Sequence, residues 1–217
     1  MANPNKNKID HKFHKILQGE DDLGVVIRTQ IVIERQLNEM LGLLCPNFEI
    51  LEKKIRLSYY QKVYLAEALG LTPEVSGILR VLGGIRNDFA HKPDMEIDNS
   101  NVSKLYAAFS PEGKKILQNT HNTIRKNAKN KVSKSFIKLA PKDKFILLAL
   151  TIQLSLKDDL ILKKESLETG EIKVRCECGK ENQPRLVKKS EESQKFIKWS
   201  CPQCGKGYQL DYAFKRS

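Results

Sequence analysis

The chain has 217 residues, 40% of them hydrophobic and 29% charged, which is enough for one substantial core and a small appendage. Its net charge of +12 and isoelectric point near 9.4 point to an anionic partner, nucleic acid first and an acidic membrane surface second. Five cysteines are too few for a stapled secreted scaffold, the polar start MANPNKNKIDHK lacks the apolar run of a secretory signal, and the most apolar window, FILLALTIQLSL at 145–156, is short of the roughly 20 residues that span a bilayer. A cytoplasmic protein with reduced thiols and no membrane partner is therefore expected.

Residues 1–8 read as a disordered tail. From Ile9 to about residue 165 the pattern is helical, so the fold class expected for residues 9–168 is mainly α, a bundle of five or six helices. Residues 22–45 run as one long apolar helix behind the acidic start Glu20, Asp21 and Asp22, and Pro46 stops it. Cys45, at its end, reads as a small buried hydrophobe. Residues 48–69 form a second amphipathic stretch closed by Gly70. Thr72, Pro73 and Glu74 then supply a cap, a first-turn proline and a first-turn acid for a helix over 73–91. Further helices are expected near 100–109, 111–130 and 141–164, the last two behind Ser110-Pro111-Glu112 and Pro141. His11, His14 and His121 are isolated and read as surface residues.

On the 73–91 helix, Ile78, Leu82, Ile85 and Phe89 recur at i, i+4, i+7 and i+11, a core-facing stripe. Arg80, Gly84, Asn87 and His91 repeat the same spacing on the opposite side. A glycine inside a helix costs about 1 kcal/mol against alanine, so Gly84 calls for a close neighbour. Arg86 sits on the flank, about 140° from His91 on an ideal helix. The two converge only if the helix distorts near Pro93 or a second subunit supplies one of them. Arg86 paired with an acid of another helix, and Asn87 with His91 capping the helix end, is the purely structural alternative.

The stretch Arg86-Asn87-Asp88-Phe89-Ala90-His91 resembles the R-x4-H motif of HEPN-superfamily helical domains, many of which are metal-independent endoribonucleases. That resemblance implies His91 as general base or acid at a ribose 2′-hydroxyl, Arg86 stabilising charge on the scissile phosphate and Asn87 orienting it. It also implies a composite site at a homodimer interface, in a toxin or defence effector with a protein antitoxin or regulator as partner. The same IRNDFAH stretch, with KIRLSYY and LAEALGL upstream, is similar to the mannitol operon repressor family over roughly residues 20–160. That similarity implies a transcription regulator or a non-catalytic nucleic-acid-binding adaptor.

Between Lys114 and Lys144 ten lysines or arginines face the single acid Asp143, so most of the chain's +12 lies there. Arg125, Lys126, Lys129, Lys131, Lys134 and Lys138, with Arg80, are the expected nucleic-acid contacts, RNA favoured over DNA. A merely soluble lysine-rich helix is the alternative.

Near residue 170, Thr169-Gly170 breaks the helical pattern and EIKVRCECG alternates like a strand, which opens a separate module over 171–217. Cys176-x-Cys178 and Cys201-x-x-Cys204 are separated by 22 residues, with glycine and lysine after each pair. Four thiolates at this spacing suit one tetrahedral, structural zinc, with disulfides or idle thiols as the alternative. The module resembles a zinc ribbon, a small β unit whose strands come from IKVR, KFIKW and GYQLDY. Lys198, Trp199 and Lys206 belong to a basic and aromatic set that suits single-stranded nucleic acid, unless Trp199 is simply the module's core.

Overall fold

The computed structural model describes residues 9–92, 94–127, 135–169, 174–175, 181–182, 195–200, 204–205 and 207–212. The expected tail at 1–8 lies outside them. The described residues form eight α-helices, more than the five or six expected: α1 His11–Gln18, α2 Asp22–Leu44, α3 Phe48–Lys54, α4 Tyr59–Ala68, α5 Pro73–His91, α6 Asn99–Ala107, α7 Pro111–Asn127 and α8 Pro141–Thr169. The chain divides into two compact units, residues 1–160 and 161–217.

Local chemistry sets most helix starts. Asp10, Asp21, Ser58, Thr72 and Asp98 each accept a hydrogen bond from a backbone N–H of the first turn. The stretch over 48–69 divides because Arg56 takes a left-handed φ of 54° after α3, and Ser58 then opens α4 with a capping box to Gln61. α1 adds a further helix, its Phe13 and Leu17 buried against the core.

In α8, Phe145 to Leu150 are all buried, and Thr151 donates its hydroxyl to the Leu147 carbonyl at 2.8 Å. A stretch buried on every side belongs inside a bundle, and this one joins the core cluster. Among the described residues no helix is long and apolar enough to cross a membrane. Polar ties join the ends of the helices. Asp22 accepts the Ile97 amide at 2.8 Å and lies 3.5 Å from the Lys142 ammonium, while Glu74 accepts the Ser110 amide at 3.1 Å. Lys62, 3% exposed, stands between Glu34 of α2 at 2.8 Å and Glu52 of α3 at 2.9 Å. Burial pulls its ammonium down, but the two carboxylates outweigh that and hold it above its ordinary range.

The contact that places α5 comes from α4. The Tyr59 hydroxyl donates to the Leu79 carbonyl at 3.0 Å and the Tyr60 hydroxyl to the Arg80 carbonyl at 3.5 Å. A Cβ at Gly83 would sit 2.7 Å from the Tyr59 ring, so only glycine admits this approach. At Gly84 a Cβ would meet nothing nearer than the Tyr60 hydroxyl at 3.8 Å. The close neighbour expected at Gly84 is thus found at Gly83.

In the second unit the backbone forms two antiparallel pairs, β1 Val174–Arg175 with β2 Glu181–Asn182, and β3 Lys195–Ser200 with β4 Gly207–Tyr212. The register sets Trp199 opposite Tyr208 and Lys198 opposite Gln209.

The two adjacent glycines of α5 should therefore respond in opposite directions. Gly83→Ala should lower stability by about 1–3 kcal/mol, because the Tyr59 ring must move. Gly84→Ala should be neutral or raise stability by up to about 1 kcal/mol. Urea unfolding of both variants measures this, and equal shifts would contradict the packing described.

Candidate functional site

α5 is continuous from Pro73 to His91, and the Lys92 amide closes it on the Asp88 carbonyl at 3.0 Å. Its stripe of Ile78, Leu82, Ile85 and Phe89 is buried, joined by Leu79 and Ser76. With one side fixed in the core, the opposite side is presented outward. Arg86 and His91 are exposed and Asn87 is half-buried. The Arg86 guanidinium donates to the Asn87 side-chain oxygen at 3.0 Å. Among the described residues Arg86 has no acid partner, and no hydrogen bond or ion pair holds the His91 imidazole. Because the helix does not distort before its end, one chain keeps Arg86 and His91 about 140° apart.

Arg80, on the same outward face, is engaged within the chain. Its guanidinium lies 2.7 Å from Glu67, donates to Ser76 at 2.6 Å and stands 5.2 Å from the centre of the Tyr64 ring. The Ser76 hydroxyl also donates to Glu67, and these bonds from Ser76 and Arg80 hold the Glu67 carboxyl below its usual range. Arg80 is thus a tie between α4 and α5.

The basic segment is likewise only partly free. Lys114 sits 4.8 Å over the Tyr106 ring, and Lys142 holds Asp22 and the Glu20 carbonyl. Arg125 and Lys126, in the last turn of α7, are exposed, as is Lys138 on the 3-10 turn Phe136–Lys138. Lys129, Lys131 and Lys134 lie outside the described residues.

His121 corrects the expectation of a surface residue. It is 4% exposed and meets Phe136 edge-on at 6.4 Å, while Phe136 stacks on Tyr106 at 5.7 Å. His14 is half-buried, and burial, then the neighbouring His11, lowers its pKa. Cys45 is half-buried against the core. One signal in the sequence could have located the start of α4, the capping-box pattern Ser58-x-x-Gln61.

Of the expected zinc ligands, Cys204 is exposed in the turn between β3 and β4, next to Gly205 with a φ of 71°. Cys176, Cys178 and Cys201 lie outside the described residues, as does Lys206, and for Lys198 and Trp199 the backbone alone is described. No protein-family model matches the chain, and neither a curated protein nor a solved structure does.

Arg86 and His91 contribute little to the fold where they stand. Arg86→Ala and His91→Ala should each change unfolding free energy by less than about 0.5 kcal/mol, whereas Arg80→Ala should lower it more. Thermal melts of the three variants check this ordering.

Proposed function

We propose that this protein acts on nucleic acid, RNA first, as an endoribonuclease whose working residues are Arg86, Asn87 and His91. The observation that carries the reading is the exposed end of α5. A guanidinium oriented by an amide, and an imidazole that no neighbour holds, stand outside the core with no structural task of their own among the described residues. A histidine titrates near neutrality and can take the proton of a ribose 2′-hydroxyl, and an arginine fork matches the phosphate that this oxygen attacks. The 2′-oxygen forms the new bond to phosphorus as the 5′-oxygen leaves. The leaving oxygen takes a proton from a second acid or from water. The exposed Arg125, Lys126 and Lys138 supply positive charge for the strand.

The angle between Arg86 and His91 requires two copies in this reading. A symmetric homodimer would bring Arg86 of one chain to His91 of the other. The same angle favours a second reading, a mannitol repressor-like regulator or nucleic-acid-binding adaptor that uses the basic surface without cleavage. The C-terminal module is proposed to hold one structural zinc through Cys176, Cys178, Cys201 and Cys204. The exposed turn cysteine beside a left-handed glycine has the form of one knuckle of such a site. Metal bound there would hold together strands too short for a core of their own.

Purified protein should cleave single-stranded RNA, and Arg86→Ala or His91→Ala should each abolish the cleavage. Mixing the two inactive variants should restore about one quarter of the activity, since half of the dimers are mixed and each of these has one intact site. No cleavage by the parent chain, together with salt-dependent binding that survives both substitutions, would establish the regulatory reading instead. Metal analysis should find about one zinc per chain, and Cys204→Ser should lower it.

A further inference from the structure

We propose that Ile137 is an apolar wedge that inserts at a base step of bound nucleic acid, a contact that rests on the nucleic-acid reading above. Among the described residues no large apolar side chain is more exposed, at 83%. A singly exposed isoleucine is ordinary on a surface, so the argument lies in how this one is held. It is the middle residue of the 3-10 turn Phe136–Lys138, closed by the Lys138 amide on the Ser135 carbonyl at 2.9 Å and the Leu139 amide on the Phe136 carbonyl at 3.2 Å. Such a turn repeats every three residues. Phe136 and Leu139 both pack against the core, and Ile137 and Lys138 are left on the outside. Phe136 is fixed further by Tyr106 and His121. The isoleucine is thus presented on an anchored turn.

Lys138 is adjacent in the chain, and Arg125 follows His121, whose ring meets Phe136, by one turn of α7 with Lys126 next to it. All three are exposed and without an acid partner among the described residues. An apolar tip that shares its turn with an exposed lysine fits a polymer that is charged at its edges and apolar between its bases. An anionic membrane shares the charge, but one isoleucine offers too little apolar area to anchor there.

The test uses the full chain and a 2′-O-methyl oligoadenylate carrying 2-aminopurine, which lacks the free hydroxyl needed for cleavage. Binding at low salt should raise the 2-aminopurine fluorescence as its neighbours unstack. Ile137→Ser should weaken binding by about tenfold and remove the rise, and Ile137→Met should keep it. If the parent chain binds without a rise, or Ile137→Ser leaves the rise intact, this inference falls while the nucleic-acid reading stands. If the parent chain does not bind, both fall. If Ile137→Ser instead weakens binding to phosphatidylserine vesicles and leaves oligoadenylate binding unchanged, lipid is the occupant and the wedge is overturned.

Discussion

The approach of Tyr59 to the backbone of α5 is the constraint on which the candidate site depends. Gly83 leaves room for the ring, and the Tyr59 hydroxyl then reaches the Leu79 carbonyl at 3.0 Å. Burial pushes the Tyr59 phenol well above its ordinary pKa, so it stays protonated and able to donate. With α4 pressed on one flank and Ile78, Leu82, Ile85 and Phe89 in the core, the rotation of α5 about its axis is set. That rotation, and no property of Arg86 or His91 themselves, decides that both side chains reach solvent.

Several polar groups that a sequence reader would reserve for partners serve the fold. Arg80 joins α4 to α5 through Glu67, Lys114 lies on Tyr106, Lys142 holds the start of α2, and Lys62 gathers α2, α3 and α4. A charge as buried as Lys62 must be matched, because leaving it unpaired would cost far more than the roughly 0–1 kcal/mol an exposed pair contributes. Lys62 shows the consequence for pH. Its folded pKa is raised, so its contribution is complete below the ordinary lysine value of about 10.4 and is lost as pH rises through the raised value. The tie is therefore whole across the neutral range.

Helix α5 was legible in the sequence to the residue, because Thr72-Pro73-Glu74 states its start and Pro93 its limit, and its buried stripe follows from period 3.6. The starts of α7 and α8 were legible for the same reason. The break at Arg56 leaves no periodic trace, since apolar residues continue on both sides, and only Ser58-x-x-Gln61 marks the restart. His121 was misread because its burial depends on Phe136 and Tyr106, partners distant in sequence that a one-dimensional pattern does not pair. The same limit hid which of the ten cations from Lys114 to Lys144 are held inside. At the candidate site the residue types and their angular separation were legible, whereas the engagement of Arg80 by Glu67 needed the position of α4.

The burial of Lys62 separates two kinds of electrostatics in one molecule. Its side chain is 4% exposed, so salt screens its pairs with Glu34 and Glu52 less than it screens a pair in open solvent. Arg125, Lys126 and Lys138 stand in solvent, where charges more than about 8 Å apart are largely screened at physiological ionic strength. Concentrated salt should therefore weaken the attraction of the outer cations for any anion long before it loosens the inner lysine.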